Sequence, residues 1–340
     1  MTERIAFVFP GQGSQAVGMG ADVASAYPAA RQVFERADQT LGFALSDLCF
    51  HGPEGTLKET VNAQPAIVAV SLALLAAFEG FLAARGAAQR LQPAYVAGHS
   101  VGEYAALVAG GVLKADAALT LVRERGRLMH EEGQRCPGGM AAVLGLDDAT
   151  LQEVCAQATQ ETLAALGASA HAHPGLGKVV VANYNSPGQI VISGEQQALE
   201  RAMELAAARG AKRVVPLVVS GAFHSPVMQP ASVGLAAAIA EVPFSDARIP
   251  VISNSSARPL HASAEFQKEL VEQIVSPVQW TKTVEFLAAE GVSTFVEIGP
   301  GQVLSGLIKR IAKGATSYSV SAAADVERVG TGLLTQVAGQ

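Results

Sequence analysis

"VAGHSVGEYAALVAGG", residues 96–111, sets one serine, Ser100, between two glycines, Gly98 and Gly102. The lead-in "AYVAGHS" reads as a short buried strand, and Val101 to Val108 reads as a helix that Gly110 and Gly111 stop. A tight strand-to-helix turn forces a strained backbone on its central residue, and flanking glycines remove the side chains that would collide there. Ser100 Oγ is then held clear of the turn, above a helix N-terminus with free N–H groups and a positive dipole end. The Val101 N–H is the donor best placed for an oxyanion. A serine that merely N-caps an ordinary turn matches G-x-S-x-G equally well; the strand–turn–helix setting is what makes Ser100 a candidate nucleophile.

The strand on which that turn stands has companions. "RIAFVFP" is a buried strand ended by Pro10, and "TFVEIGPG" near residue 298 is a late one followed by a helix. Helical periodicity covers about 20–40, a long Ala-rich helix opened by Pro65, and Asp116 to Glu132. Buried strands alternating with helices predict an α/β fold with a mostly parallel sheet. In the middle of the chain, "MAAVLGL", "KVVVANYN", "QIVISG" and "KRVVPLVV" are strands, with helices from Asp148 to Leu166 and from Gln196 to Arg209 between them. The order β-α-β-β-α-β predicts a ferredoxin-like insert. The expected division is a discontinuous catalytic domain at 1–137 and 218–315, an insert at 138–217 and a tail at 316–340. Within the insert, "LGASAHAHPGLG" reads as a flexible loop.

Composition excludes several classes. Of 340 residues, 49% are hydrophobic and 16% charged, which is a folded globular balance with ample core material. The net charge of −6 comes without a basic block, so no nucleic-acid partner is expected. Cys49, Cys136 and Cys155 show neither metal spacing nor an even count, and fit a reducing cytosol. The start lacks the layout of a signal peptide, and the most apolar run, Ala66 to Phe78, is shorter than the ~20 residues that cross a bilayer. No membrane partner is expected.

A nucleophilic serine needs a proton acceptor. Among seven histidines, His99 adjoins Ser100 and should point away from it, while His51, His130 and His261 lie in polar stretches or near a helix end. His171 and His173 form H-x-H without an evident third ligand, so no metal is expected. His224 follows the strand-like "VVPLVV" in a small-residue loop, "SGAFHSP". It reads either as a packing histidine or, paired with Ser100, as the base.

The helix "AALTLVRERGRLMHE" carries an apolar stripe of Ala118, Leu121, Val122, Leu128 and Met129, with Arg125 in its middle. Arg123 and Arg127 fall elsewhere and should be solvated. An inward guanidinium must be paired. Periodicity alone favours an internal ion pair with an Asp or Glu; the alternative is a substrate carboxylate, which the planar fork of donors fits. "PGQGSQA" mimics a dinucleotide fingerprint through Gly11, Gly13 and Ala16, but helix follows where a second strand is needed. Its better use is close backbone approach to the site, with Gln12 offering an amide.

Together these residues resemble the malonyl-CoA:acyl carrier protein transacylases of fatty acid synthesis and the acyltransferase domains of polyketide synthases. The matching pieces are "FVFPGQGSQ" (7–15), "GHSVGEYAAL" (98–107), "RG" (125–126), "NYNSPGQIVISG" (183–194), "GAFHSPVM" (221–228), "PVQWTKTVEF" (277–286) and "EIGPGQVLSGL" (297–307), in family order over nearly the whole chain. The resemblance implies a hydrolase-like α/β domain with a ferredoxin-like insert. It implies Ser100 as nucleophile, His224 as base, Arg125 as the malonyl-carboxylate ligand, and Gln12 with the Val101 N–H as oxyanion hole. Gln273 matches the position whose backbone carbonyl orients the histidine. The implied partners are malonyl-CoA and acyl carrier protein, with no cofactor. The Phe223–His224 pair resembles the malonyl-type pattern, extra sequence at about 157–177 departs from the family, and a free-standing enzyme is expected. A trans-acting polyketide acyltransferase, an acyl-thioester hydrolase and a carrier-docking module without turnover remain as rivals.

Overall fold

The computed structural model describes residues 4–338. Ten strands lie among them: β1 (Arg4–Phe9), β2 (Tyr95–Gly98), β3 (Gly138–Leu144), β4 (Val179–Ser186), β5 (Gln189–Glu195), β6 (Arg213–Pro216), β7 (Val251–Ile252), β8 (Pro259–Leu260), β9 (Val292–Ile298) and β10 (Thr316–Val320). The main sheet runs β10-β9-β1-β2-β7-β8 and is parallel except at its β8 edge. Its central strands are buried almost throughout, as strands covered by helices on both faces must be. Phe9 lies opposite Gly98, so the loops leaving β1 and β2 emerge side by side at the same edge of the sheet.

The insert forms a separate antiparallel sheet in the order β4-β5-β3-β6. By position in its own segment this is second-third-first-fourth, the ferredoxin-like arrangement. The helices Asp148–Leu166 and Gln196–Ala208 close one face of it, with Leu151, Val154, Ala202 and Leu205 in a core distinct from that of the main sheet. Asp147 caps the first helix by accepting from the Thr150 N–H at 2.8 Å.

Several expectations change. The segment from 316 is no tail: β10 adds a parallel strand to the main sheet, and the helix Ala323–Ala338 buries Val326, Val329 and Leu333. The helix expected to open at Pro65 begins at Thr60 and runs to Ala84. Pro65 has no N–H to give the carbonyl four residues back, and the Arg123 guanidinium donates to that Val61 carbonyl instead, at 2.6 Å. Arg123 is therefore half-buried and engaged rather than solvated. At 25 residues this helix is long and apolar enough to cross a bilayer, but 78% of its most apolar window is buried inside the protein. The strand before His224 ends at Pro216 as an edge of the insert sheet, so His224 issues from a loop. The histidine-bearing loop at 167–177, expected to be flexible, docks on the body. His173 meets the buried Glu132 at 2.7 Å, and Gly175 lies so close to the Val227 backbone that a Cβ would stand 2.4 Å away.

Candidate active site

The elbow has the strain its sequence implies. Ser100 sits at φ 50°, between β2 and the helix Gly102–Ala109. A Cβ at Gly98 would lie 2.0 Å from the Gly102 backbone, and one at Gly102 would lie 2.2 Å from the Phe9 carbonyl oxygen. The two glycines thus let β2, the turn and β1 pack backbone to backbone. Gly11 does the same for the first loop, since its Cβ would meet the His99 carbonyl at 2.6 Å. Gly102→Ala is expected to destabilise the fold by about 1–3 kcal/mol through overpacking. Chemical denaturation should show a lower midpoint with an unchanged slope.

His224 also lies in the left-handed region, at φ 56°, and is 3% exposed. Its Nδ1 faces two carbonyl oxygens, of Gln273 at 2.8 Å and Ser276 at 3.2 Å. Carbonyls only accept, so Nδ1 carries the proton and Nε2 is left as acceptor for the Ser100 hydroxyl at 2.7 Å. Gln273 closes the helix Ser263–Gln273, where carbonyls lack intrahelical partners. Burial first, and then the Arg125 charge, push the imidazole down to about 3.

Arg125 points inward and is 1% exposed. The ion pair that periodicity favoured is not made among the described residues. Its Nη1 donates to Gln64 Oε1 at 2.6 Å, and its Nη2 to Gln273 Oε1 at 2.9 Å and to Ser100 Oγ at 3.1 Å. All three acceptors are neutral, and Nε has no partner among the described residues. Burial lowers the guanidinium's pKa. Glu103 reaches it through Gln273, whose Nε2 donates to Glu103 Oε2 at 2.6 Å and to the Ser100 carbonyl at 3.1 Å. Burial, with Glu269 nearby, raises the Glu103 carboxyl well above its ordinary range.

The Gln12 side chain donates to Thr60 Oγ1 at 3.1 Å, and Thr60 in turn meets Ser220. The backbone N–H groups of Gln12 and Val101 have no hydrogen-bond partner among the described residues. His99 turns away from Ser100, as expected, with Nε2 2.9 Å from Asn185 Oδ1 and its ring against Trp280. His51, His130 and His173 bond to Asp47, Gln134 and Glu132. Among the described residues no group of three or more His, Cys, Asp or Glu is disposed to hold a metal.

Gln12, Ser100, Arg125 and His224 line one cavity of about 300 Å³, whose apolar wall includes Met140 of β3 and Phe223. It lies where the C-terminal edge of the parallel sheet meets the insert. Sequence reading missed Gln64, Glu103 and Asn254. Gln64 had a signal, being an amide at the head of the most apolar run in the chain. Asn254 had none, because its partners lie more than 150 residues away.

A serine on a left-handed elbow, hydrogen-bonded to a histidine over a mostly parallel sheet, defines the nucleophilic-serine class of α/β proteins. Within that class the chain belongs to the acyl transferase domain family, which matches residues 6–332. It is 44% identical over 319 residues to the malonyl CoA-acyl carrier protein transacylase of Bacillus subtilis (strain 168), covering 94% of this chain and 93% of the relative. The crystal structure of an acyl carrier protein S-malonyltransferase from Vibrio cholerae superposes with TM-score 0.86 at 40% identity, covering 96% of this chain and all of that one. A malonyl-transacylase solved in complex with a type II polyketide synthase acyl carrier protein gives TM-score 0.87 at 38% identity, with 97% and 100% covered.

Proposed function

We propose that the protein transfers malonyl from malonyl-CoA to the phosphopantetheine thiol of an acyl carrier protein through a malonyl ester on Ser100. One observation carries this reading: Ser100 Oγ lies 2.7 Å from the unprotonated nitrogen of His224 and 3.1 Å from a buried guanidinium that makes no ion pair among the described residues. His224 takes the hydroxyl proton as Ser100 attacks the thioester carbonyl. The oxyanion is held by the backbone N–H groups of Val101 and Gln12, each worth roughly 3 kcal/mol in comparable sites. Collapse expels coenzyme A, which leaves with the proton from His224. The carrier thiol then gives its proton to His224 and attacks the ester, and Ser100 is restored. Arg125 supports this by binding the free malonyl carboxylate with its planar fork.

The test is a mixture of malonyl- and acetyl-CoA with a carrier protein bearing its phosphopantetheine. Loss of carrier thiol should match coenzyme A release, with malonyl as the transferred group. Accumulation of free malonate would make the protein a hydrolase, and no coenzyme A release would reduce it to a docking module. Carriers of fatty acid and polyketide type, assayed side by side, distinguish the two pathways. A cytoplasmic setting belongs to the same reading, since all three cysteines are free and buried.

The depressed His224 pKa has a kinetic consequence. The base form of an imidazole exists above its pKa, so lowering that pKa to about 3 moves the acid limb of acylation down. The pre-steady-state acylation rate should hold within about twofold from roughly pH 8 to pH 5, where an ordinary histidine would already be largely protonated. A stopped-flow profile falling through pH 6.5 would contradict this.

A further inference from the structure

We propose that Asn254 is a positioning residue that locks the strained elbow and so sets the rate of serine attack. It follows β7, the strand beside β2, and is 3% exposed. Its side-chain amide spans the turn. Oδ1 accepts from the Ser100 N–H at 2.7 Å, and Nδ2 donates to the Gly98 carbonyl at 2.7 Å. Only an amide offers one acceptor and one donor at that separation, which is what a peptide N–H and C=O on either side of His99 require.

The backbone that carries this amide is itself held, since the Asn254 main-chain carbonyl accepts from the Gln279 N–H at 2.8 Å. Gln273 holds the other side of Ser100 through its carbonyl. The left-handed conformation of Ser100 is therefore tied at both its N–H and its C=O. The same bond occupies the Ser100 N–H, which leaves the unpartnered N–H groups of Val101 and Gln12 to face a developing charge. Released from the clamp, the elbow relaxes and the 2.7 Å approach of Oγ to Nε2 is lost. A misplacement of about 1 Å in a reacting group costs on the order of a hundredfold in rate.

The role rests on the malonyl-serine reading, and the test separates the two. Asn254→Ala removes both bonds; Asn254→Asp keeps the acceptor for Ser100 and turns a second oxygen toward the Gly98 carbonyl. Both variants are mixed rapidly with malonyl-CoA, and the coenzyme A burst is followed. The burst rate should fall about a hundredfold in each. Its amplitude should stay near one per chain and the malonyl-CoA KM near wild type, because Arg125 and its amide partners are untouched. A wild-type burst rate in either variant, at any amplitude, overturns the assignment. So does loss of the burst together with the cooperative thermal transition in both, which would make Asn254 a folding residue. If wild type itself gives no burst, the malonyl reading has failed. The clamp is then read from the rate at which a serine-directed fluorophosphonate labels each protein, with the same hundredfold fall expected.

Discussion

Ser100→Ala is expected to leave no malonyl group on the protein after brief exposure to radiolabelled malonyl-CoA and denaturation, and to cut transfer to the carrier by about a million-fold, the loss seen when a nucleophilic serine is removed from a comparable site. The hydroxyl is the only group of Ser100 that changes, and it faces two partners. His224 Nε2 loses its donor and Arg125 Nη2 loses one of two acceptors, the other being Gln273 Oε1 at 2.9 Å. The elbow keeps its backbone bonds to Asn254 and Gln273. The variant should therefore fold, melt within a few degrees of wild type and still bind malonyl-CoA. Retained label, located by peptide mapping, would remove Ser100 as nucleophile. Lost label with a collapsed melting transition would mean that the hydroxyl is structural. On the proposed reading, the Val101 and Gln12 N–H groups should still sustain a small residual rate, which distinguishes a disabled site from an absent one.

What sequence disclosed and what it hid divide along a physical line. The elbow was legible because its causes are local: a short apolar strand, two glycines and a helix start fall within a dozen residues. The insert was legible for the same reason, since each of its elements carries its own period of two or 3.6. The inward direction of Arg125 followed from helical spacing, but its partners did not. They are Gln64 and Gln273, 61 and 148 positions away, and no pattern along one helix names a neutral amide on another. β10 was missed because "TSYSV" lies at an edge, where residues are half-buried and polarity is tolerated. The whole segment after Ala315, rich in Ser, Ala and Gly, looked like a tail until the long Thr60–Ala84 helix supplied a partner for its helix.

Arg125→Ala should reverse the choice of acyl group, and the reason lies in the charge that surrounds this residue. A buried guanidinium that hydrogen-bonds, among the described residues, only to amides and a hydroxyl is a poorly compensated cation, with Glu103 acting on it only through space, and its desolvation is costly unless an anion joins it. Of its five N–H donors, three are engaged, so a carboxylate arriving beside Ser100 meets both an unpaired charge and unused hydrogens. Removing the side chain should lower kcat/KM for malonyl-CoA by about a hundredfold or more, as expected when one partner of a desolvated charge pair is lost, and raise the share of acetyl or propionyl transferred from a mixture. Two further readouts identify the cause. Gln64 and Gln273 lose donors in a buried site, which costs about 1–3 kcal/mol, while the desolvation cost of the guanidinium is relieved, so the melting midpoint of the unliganded protein should move little. Arg125 is also the second cause of the depressed His224 pKa, so the imidazole becomes easier to protonate and the acid limb of acylation by acetyl-CoA moves up. Arg125→Lys keeps the charge without the fork and should leave that limb low while losing much of the malonyl preference. An Arg125→Ala enzyme that still prefers malonyl by the wild-type ratio would show that the carboxylate is read elsewhere. Altered selectivity with an unmoved acid limb would show that the guanidinium's charge does not reach the base.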